Sequence, residues 1–177
     1  MKNKIPSSQL ADSAKVAFLL NLYNAQAYMK LFDERTREIV MRSGWFEGRQ
    51  INTSAFQEMA LNEGYFWFDK ADQLLTEFGN LKILFNTTVG VDETAHFDAI
   101  KAMRDIDPKW IKESYFLRID SKRLCPIGQA YSNHMTLMVD TEGDIYGGYD
   151  DFLCLVGRDV QEALTAICAN KKFPELP

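Results

Sequence analysis

The chain has 177 residues and a formal net charge of −5, from 20 basic and 25 acidic side chains. That length suffices for one domain with a real core. The acidic balance argues against nucleic acid as a direct partner, because phosphate binding needs a basic surface. Three cysteines with no close pair make no disulfide framework; Cys125, Cys154 and Cys168 suit a reducing cytoplasm and read as small buried hydrophobes.

Residues 7 to 32 read as a helix, with Leu10, Ala14, Ala17, Phe18, Ala25, Met29 and Phe32 on one stripe. Leu19, Leu20, Tyr23 and Leu31 widen its apolar surface, so it calls for cover from the same domain or a second copy. Lys2, Lys4 and Ala25-Gln26-Ala27 imitate a secretory signal, but Asp12 and Asn21 interrupt the pattern. No apolar run reaches the ~18 residues of a membrane span, so a cytoplasmic location without membrane contact is expected.

Asp33 to Arg42 forms a second helix, ended by Ser43-Gly44, and Trp45 to Arg49 a turn that buries one or two rings. Ser54, with Gln57 as capping-box partner, opens a third helix that Gly64 stops. Asp69 caps a fourth around Ala71, Leu74, Leu75 and Phe78, with Gly79 placed for φ > 0. Leu81 to Phe85 is the first strand, and Thr87 to Asp92 a loop. Glu93 to Ile106 is expected to be helical around Phe97, Ile100 and Met103, ending before Pro108. Tyr115 to Ile119 and Leu124 to Ile127 are further strands.

From Leu124 to Val156 the pattern is a β-meander. Met135, Leu137 and Val139 alternate with Thr136, Met138 and Asp140, predicting one buried and one polar face. Thr141 to Asp144 is a turn, Gly147-Gly148 predicts a bend or bulge, and the apolar run from Phe152 to Val156 predicts a strand covered on both faces. Asp159 and Glu162 have capping-box spacing ahead of Val160, Ala163, Leu164 and Ile167. Lys172 to Pro177 is expected to fray. Consecutive strands imply antiparallel pairing, hence an α+β fold: a mostly antiparallel sheet packed on helices in a single domain over 1–177.

Chemistry is hard to find. His96 and His134 lack ligand-spaced partners, and no zinc, calcium, nucleophile-elbow or phosphate-loop motif occurs. Cys125 with His134 could meet across a sheet, but Pro126 and the apolar neighbours make Cys125 look like core. Catalytic, cofactor and metal sites are therefore all expected to be absent. What stands out is acid interleaved with aromatic: Glu142, Asp144, Tyr146, Tyr149, Asp150 and Asp151 are expected on adjoining turns at one end of the meander. A solvated turn is the plain reading of such residues; a surface for a basic protein partner is the functional one.

Two blocks carry a family resemblance. The first runs from Thr36 to Phe85, through Gly44-Trp45, Gly48-Arg49, Gly64 and Glu77-Phe78-Gly79-Asn80-Leu81. The second contains Pro126-Ile127-Gly128, Met138-Val139-Asp140, Gly143, Ile145-Tyr146, Gly157 and Glu162-Ala163-Leu164. In this order they resemble the third subgroup of the SUKH superfamily, bacterial immunity proteins of polymorphic toxin systems. Asn80 stands where that pattern has a second glycine, and residues 1–33 form a helical extension outside the resemblance. The resemblance implies a non-enzymatic protein that binds and neutralises a cognate toxin domain, such as a nuclease or deaminase, in the producing cell. It transfers a role and no site residues. A non-catalytic scaffold binding another cellular protein or peptide is the alternative, and a homodimer through the N-terminal helix stays open.

Overall fold

The protein is described by a computed structural model over residues 32–87, 90–121 and 123–177. The expected helix over 7–32 lies outside these residues, apart from Phe32. Within them the chain gives α1 (Glu34–Arg42), α2 (Ser54–Glu63), α3 (Asp69–Phe78), β1 (Lys82–Asn86), β2 (Asp92–His96), α4 (Ala99–Asp105) and α5 (Pro108–Trp110). The last continues into a π-helical turn, Ile111–Tyr115. Then come β3 (Leu124–Ala130), β4 (Met135–Asp140), β5 (Ile145–Tyr149), β6 (Phe152–Gly157) and α6 (Val160–Cys168). The six strands pair in chain order, each antiparallel to the next, in one sheet. The α+β expectation holds.

Most helix boundaries follow from local chemistry. Asp33 accepts from the Thr36 N–H at the start of α1, and Gly44 turns the chain away at φ 94°. Gly64 ends α2 at φ 82°. Asp159 accepts from the Glu162 N–H, while the Glu162 carboxylate returns to the N–H of Arg158 rather than to the cap itself. Two expected caps differ: Thr53 and Phe68 precede α2 and α3 without a side-chain capping bond, so Ser54 and Asp69 are first helical residues. Gly79 is not left-handed. Its φ is −51°, and Asn80 takes the positive φ, at 62°. Gly79 is required for space: a Cβ there would meet the Leu75 carbonyl and the Ile51 and Phe56 side chains. Asn tolerates the left-handed region better than most residues, which accommodates it in the second-glycine place.

Three stretches correct the expectation from periodicity. Glu93 to His96 is strand, not helix; it pairs with β1, and the helix begins only after Asp98, whose carboxylate accepts from the Lys101 N–H. Tyr115 to Ile119 is not a strand, because Asp107 caps a new helical turn with Pro108 at its first position and the chain leaves it through further turns. The C-terminus does not fray. Glu175 bridges to Cys154, the Leu176 N–H donates to Leu153, and Arg118 binds Glu175 and the carbonyls of Leu176 and Pro177.

The meander has no polar face. Thr136, Met138 and Asp140 are all buried, at 7 %, 0 % and 2 % exposure. Gly148 pairs with Thr136, and the Tyr115 ring lies against Gly148, so Tyr115 covers the Thr136 end of the face expected to be wet. Asp140 is satisfied at the turn, where its carboxylate accepts from the N–H groups of Glu142, Gly143 and Asp144 at 2.9–3.0 Å. Gly147 and Gly148 form no bulge; the irregularity lies at Ile145/Tyr146. They are glycine because side chains would run into Met135 and Val156, or into Tyr115.

Candidate functional site

The cysteines lie in the core. Cys125, Cys154 and Cys168 are buried free thiols, and burial raises all three, Cys154 to about 11 and Cys168 to about 12. His96 is held by Gln129 and Asn133 and accepts from the Asp98 N–H. Among the described residues, no group of three or more His, Cys, Asp or Glu is arranged to hold a metal ion. No helix among them is long and apolar enough to cross a membrane.

The six acidic and aromatic residues singled out in the sequence do not share one end of the sheet. Successive turns of a meander lie at opposite ends, so five-residue β5 separates them by about 16 Å at 3.3 Å per residue. Glu142, Asp144 and Tyr146 belong to the β4–β5 end. There Asp144 pairs with Arg158, Arg123 lines the same hollow, and Tyr146 is buried, its hydroxyl pushed up to about 12 mainly by burial. This end carries its own countercharges.

Tyr149, Asp150 and Asp151 belong to the β5–β6 end, which is built differently. Asp150 takes φ 46°, a conformation Asp tolerates. Its carbonyl accepts from the Trp110 indole N–H at 2.7 Å and the Tyr115 hydroxyl at 2.9 Å. Burial raises the Tyr115 hydroxyl. The Asp151 carbonyl accepts from Arg118. Tyr149 stacks on Phe152 with centroids 4.7 Å apart and stays 49 % exposed. Beside this turn opens a cleft of about 490 Å³, lined by Asp105, Asp107 and Trp110 from the α4–α5 region, by Asn133 and His134, and by Tyr149 and Asp150. Asp105 is fixed by the amide of buried Gln129 at 3.0 Å.

The sequence model of the SUKH-3 immunity protein family matches residues 32–170. The chain belongs to that family. No curated protein and no solved structure matches. The SUKH-3 assignment gives the protein an immunity function within a generally non-catalytic family, and the matched span covers every helix and strand named above. The glycines of the SUKH-3 resemblance make the fold: Gly128 sits where a Cβ would strike the His96 carbonyl, and Gly157 where it would strike the Ala163 backbone. Sequence reading of this SUKH-3 chain missed Asp105, Asp107, Trp110 and Asn133 as companions of Tyr149. Asp107-Pro108 read as a helix end; that it also starts the next helix was the available signal.

Proposed function

We propose that this protein neutralises a cognate toxin domain by binding it, and that the β5–β6 end of the sheet is the contact surface. Membership of the SUKH-3 immunity family carries the reading. Tyr149, Asp150 and Asp151 support the location: an exposed ring and exposed carboxylates stand on a turn held by Trp110, Tyr115 and Arg118. A rigid aromatic anchor ringed by charge is the kind of surface that recognises protein. A nuclease toxin would present positive charge, which an acidic surface attracts from a distance.

The test is co-expression with candidate toxin domains, sought first in the genes next to this one, paired with association rates at low and moderate salt. The parent should protect the cell and bind more slowly as salt rises. Asp150→Lys with Asp151→Lys should reduce the low-salt association rate by tenfold or more, within the range electrostatic steering spans. Parental rates and salt slope in that variant would move the interface elsewhere; absence of both protection and binding would reject the function itself.

A further inference from the structure

The two acidic ends differ in one respect that selects between ligands. At the β4–β5 end, Asp144 already holds Arg158, and Arg123 stands in the same hollow. Among the described residues the β5–β6 cleft is lined by three carboxylates, Asp105, Asp107 and Asp150, by His134 and by two aromatic residues, Trp110 and Tyr149, with no lysine or arginine. An adjoining hollow shares Asn133, His134, Tyr149 and Asp150 and has Lys171 in its own lining. The aromatic groups are anchored before any partner arrives: the Trp110 N–H is committed to the Asp150 carbonyl, and Tyr149 leans on Phe152. Both keep substantial exposure, 39 % and 49 %. Asp105 is held by Gln129, itself 2 % exposed and fixed against His96.

We infer that the cleft between α4–α5 and the β5–β6 turn receives an arginine side chain of the protein partner, its guanidinium placed among Asp105, Asp107 and Asp150 and against Trp110 and Tyr149. The occupant follows from charge and shape together. Carboxylates without a resident cation favour a positive group. A planar guanidinium is the cation that can stack on a ring and bond a carboxylate with two N–H groups at once, whereas an ammonium can do neither as well. A cleft of about 490 Å³ falls within the range of built ligand sites, with room for the side chain and the backbone beside it. The inference rests on the toxin-binding reading, whose contact surface it resolves to one group.

The experiment needs no toxin. The isotopically labelled full chain is titrated at low salt with the peptide Gly-Ser-Gly-Arg-Gly-Ser-Gly and with its lysine counterpart, watching backbone amides and the indole N–H signals, with that of Trp110 assigned through Trp110→Phe. The arginine peptide should give saturable shifts at the Trp110 indole and the Tyr149 and Asp150 amides, and the lysine peptide should bind at least about threefold more weakly. Asp105→Asn, Asp107→Asn and Asp150→Asn combined keep the acceptors and shape while removing the charge; they should abolish saturation, whereas Glu142→Gln should leave it unchanged. Equal binding of both peptides, shifts that survive the triple change, or shifts centred on Glu142 to Tyr146 would each overturn the assignment. Peptide binding without cellular protection would instead count against the toxin-neutralising role alone.

Discussion

Trp45 shows how one side chain ties the helices together. Its ring stacks on Phe78 at 6.1 Å, meets Phe32 edge-on at 5.7 Å, and donates its N–H to Glu77 at 3.0 Å. Trp45→Ala should cost about 3–5 kcal/mol, the range for emptying a large aromatic site; chemical denaturation measures it, and a loss under 1 kcal/mol would place the ring outside the core. Glu77 gives a pH-dependent companion test. Burial raises its carboxyl above the ordinary range, against the Trp45 bond and the charge of Arg49. The folded chain then holds this proton more tightly than the unfolded chain. The site's contribution is therefore complete below the unfolded pKa and is lost as pH rises through the raised one. Glu77→Gln keeps an acceptor for Trp45 and removes the titration. The melting temperature of the variant relative to the parent should thus climb as pH rises above the ordinary carboxylate range, and a constant difference would exclude Glu77 as the titrating group. Gly128→Ala, aimed at the His96 carbonyl, should cost about 1–3 kcal/mol by overpacking the β2–β3 pair.

Elements with a clean period or cap were legible in the sequence; those made by their neighbours were not. Helix α1 has Asp33 and Gly44 at its ends, and β6 is a continuous apolar run. Strand β2 reads Asp-Glu-Thr-Ala-His, with little β preference, and exists because β1 pairs with it across its whole length. Asp98 marks the true start of α4, so Asp98→Ala should destabilise by about 1 kcal/mol as a lost cap, read from the denaturation midpoint. The C-terminal tail was invisible because its order depends on Arg118, nearly sixty residues earlier. Arg118→Ala should free residues 174–177, seen as faster amide exchange at Leu176; unchanged protection would mean that the bridge to Cys154 suffices alone.

At the scale of the molecule, half of the candidate surface was legible. Tyr149, Asp150 and Asp151 announced a polar, aromatic turn, but grouping them with Glu142 and Asp144 overlooked the alternation of turns between the ends of a meander. Asp105, Trp110 and Asn133 join Tyr149 only through the folded arrangement of separate segments, which periodicity cannot convey. The same meander bears on time as well as shape. From β3 to β6 each strand pairs with the next across a short turn, whereas the β2–β3 pair closes over the helical stretch 97–123, so most of the sheet pairing needs no long loop to close first. Stopped-flow refolding should accordingly be faster than in β-sandwiches of similar length, whose contacts span greater sequence distances. An immunity protein with such wiring can pair most of its sheet soon after its last strand is synthesised.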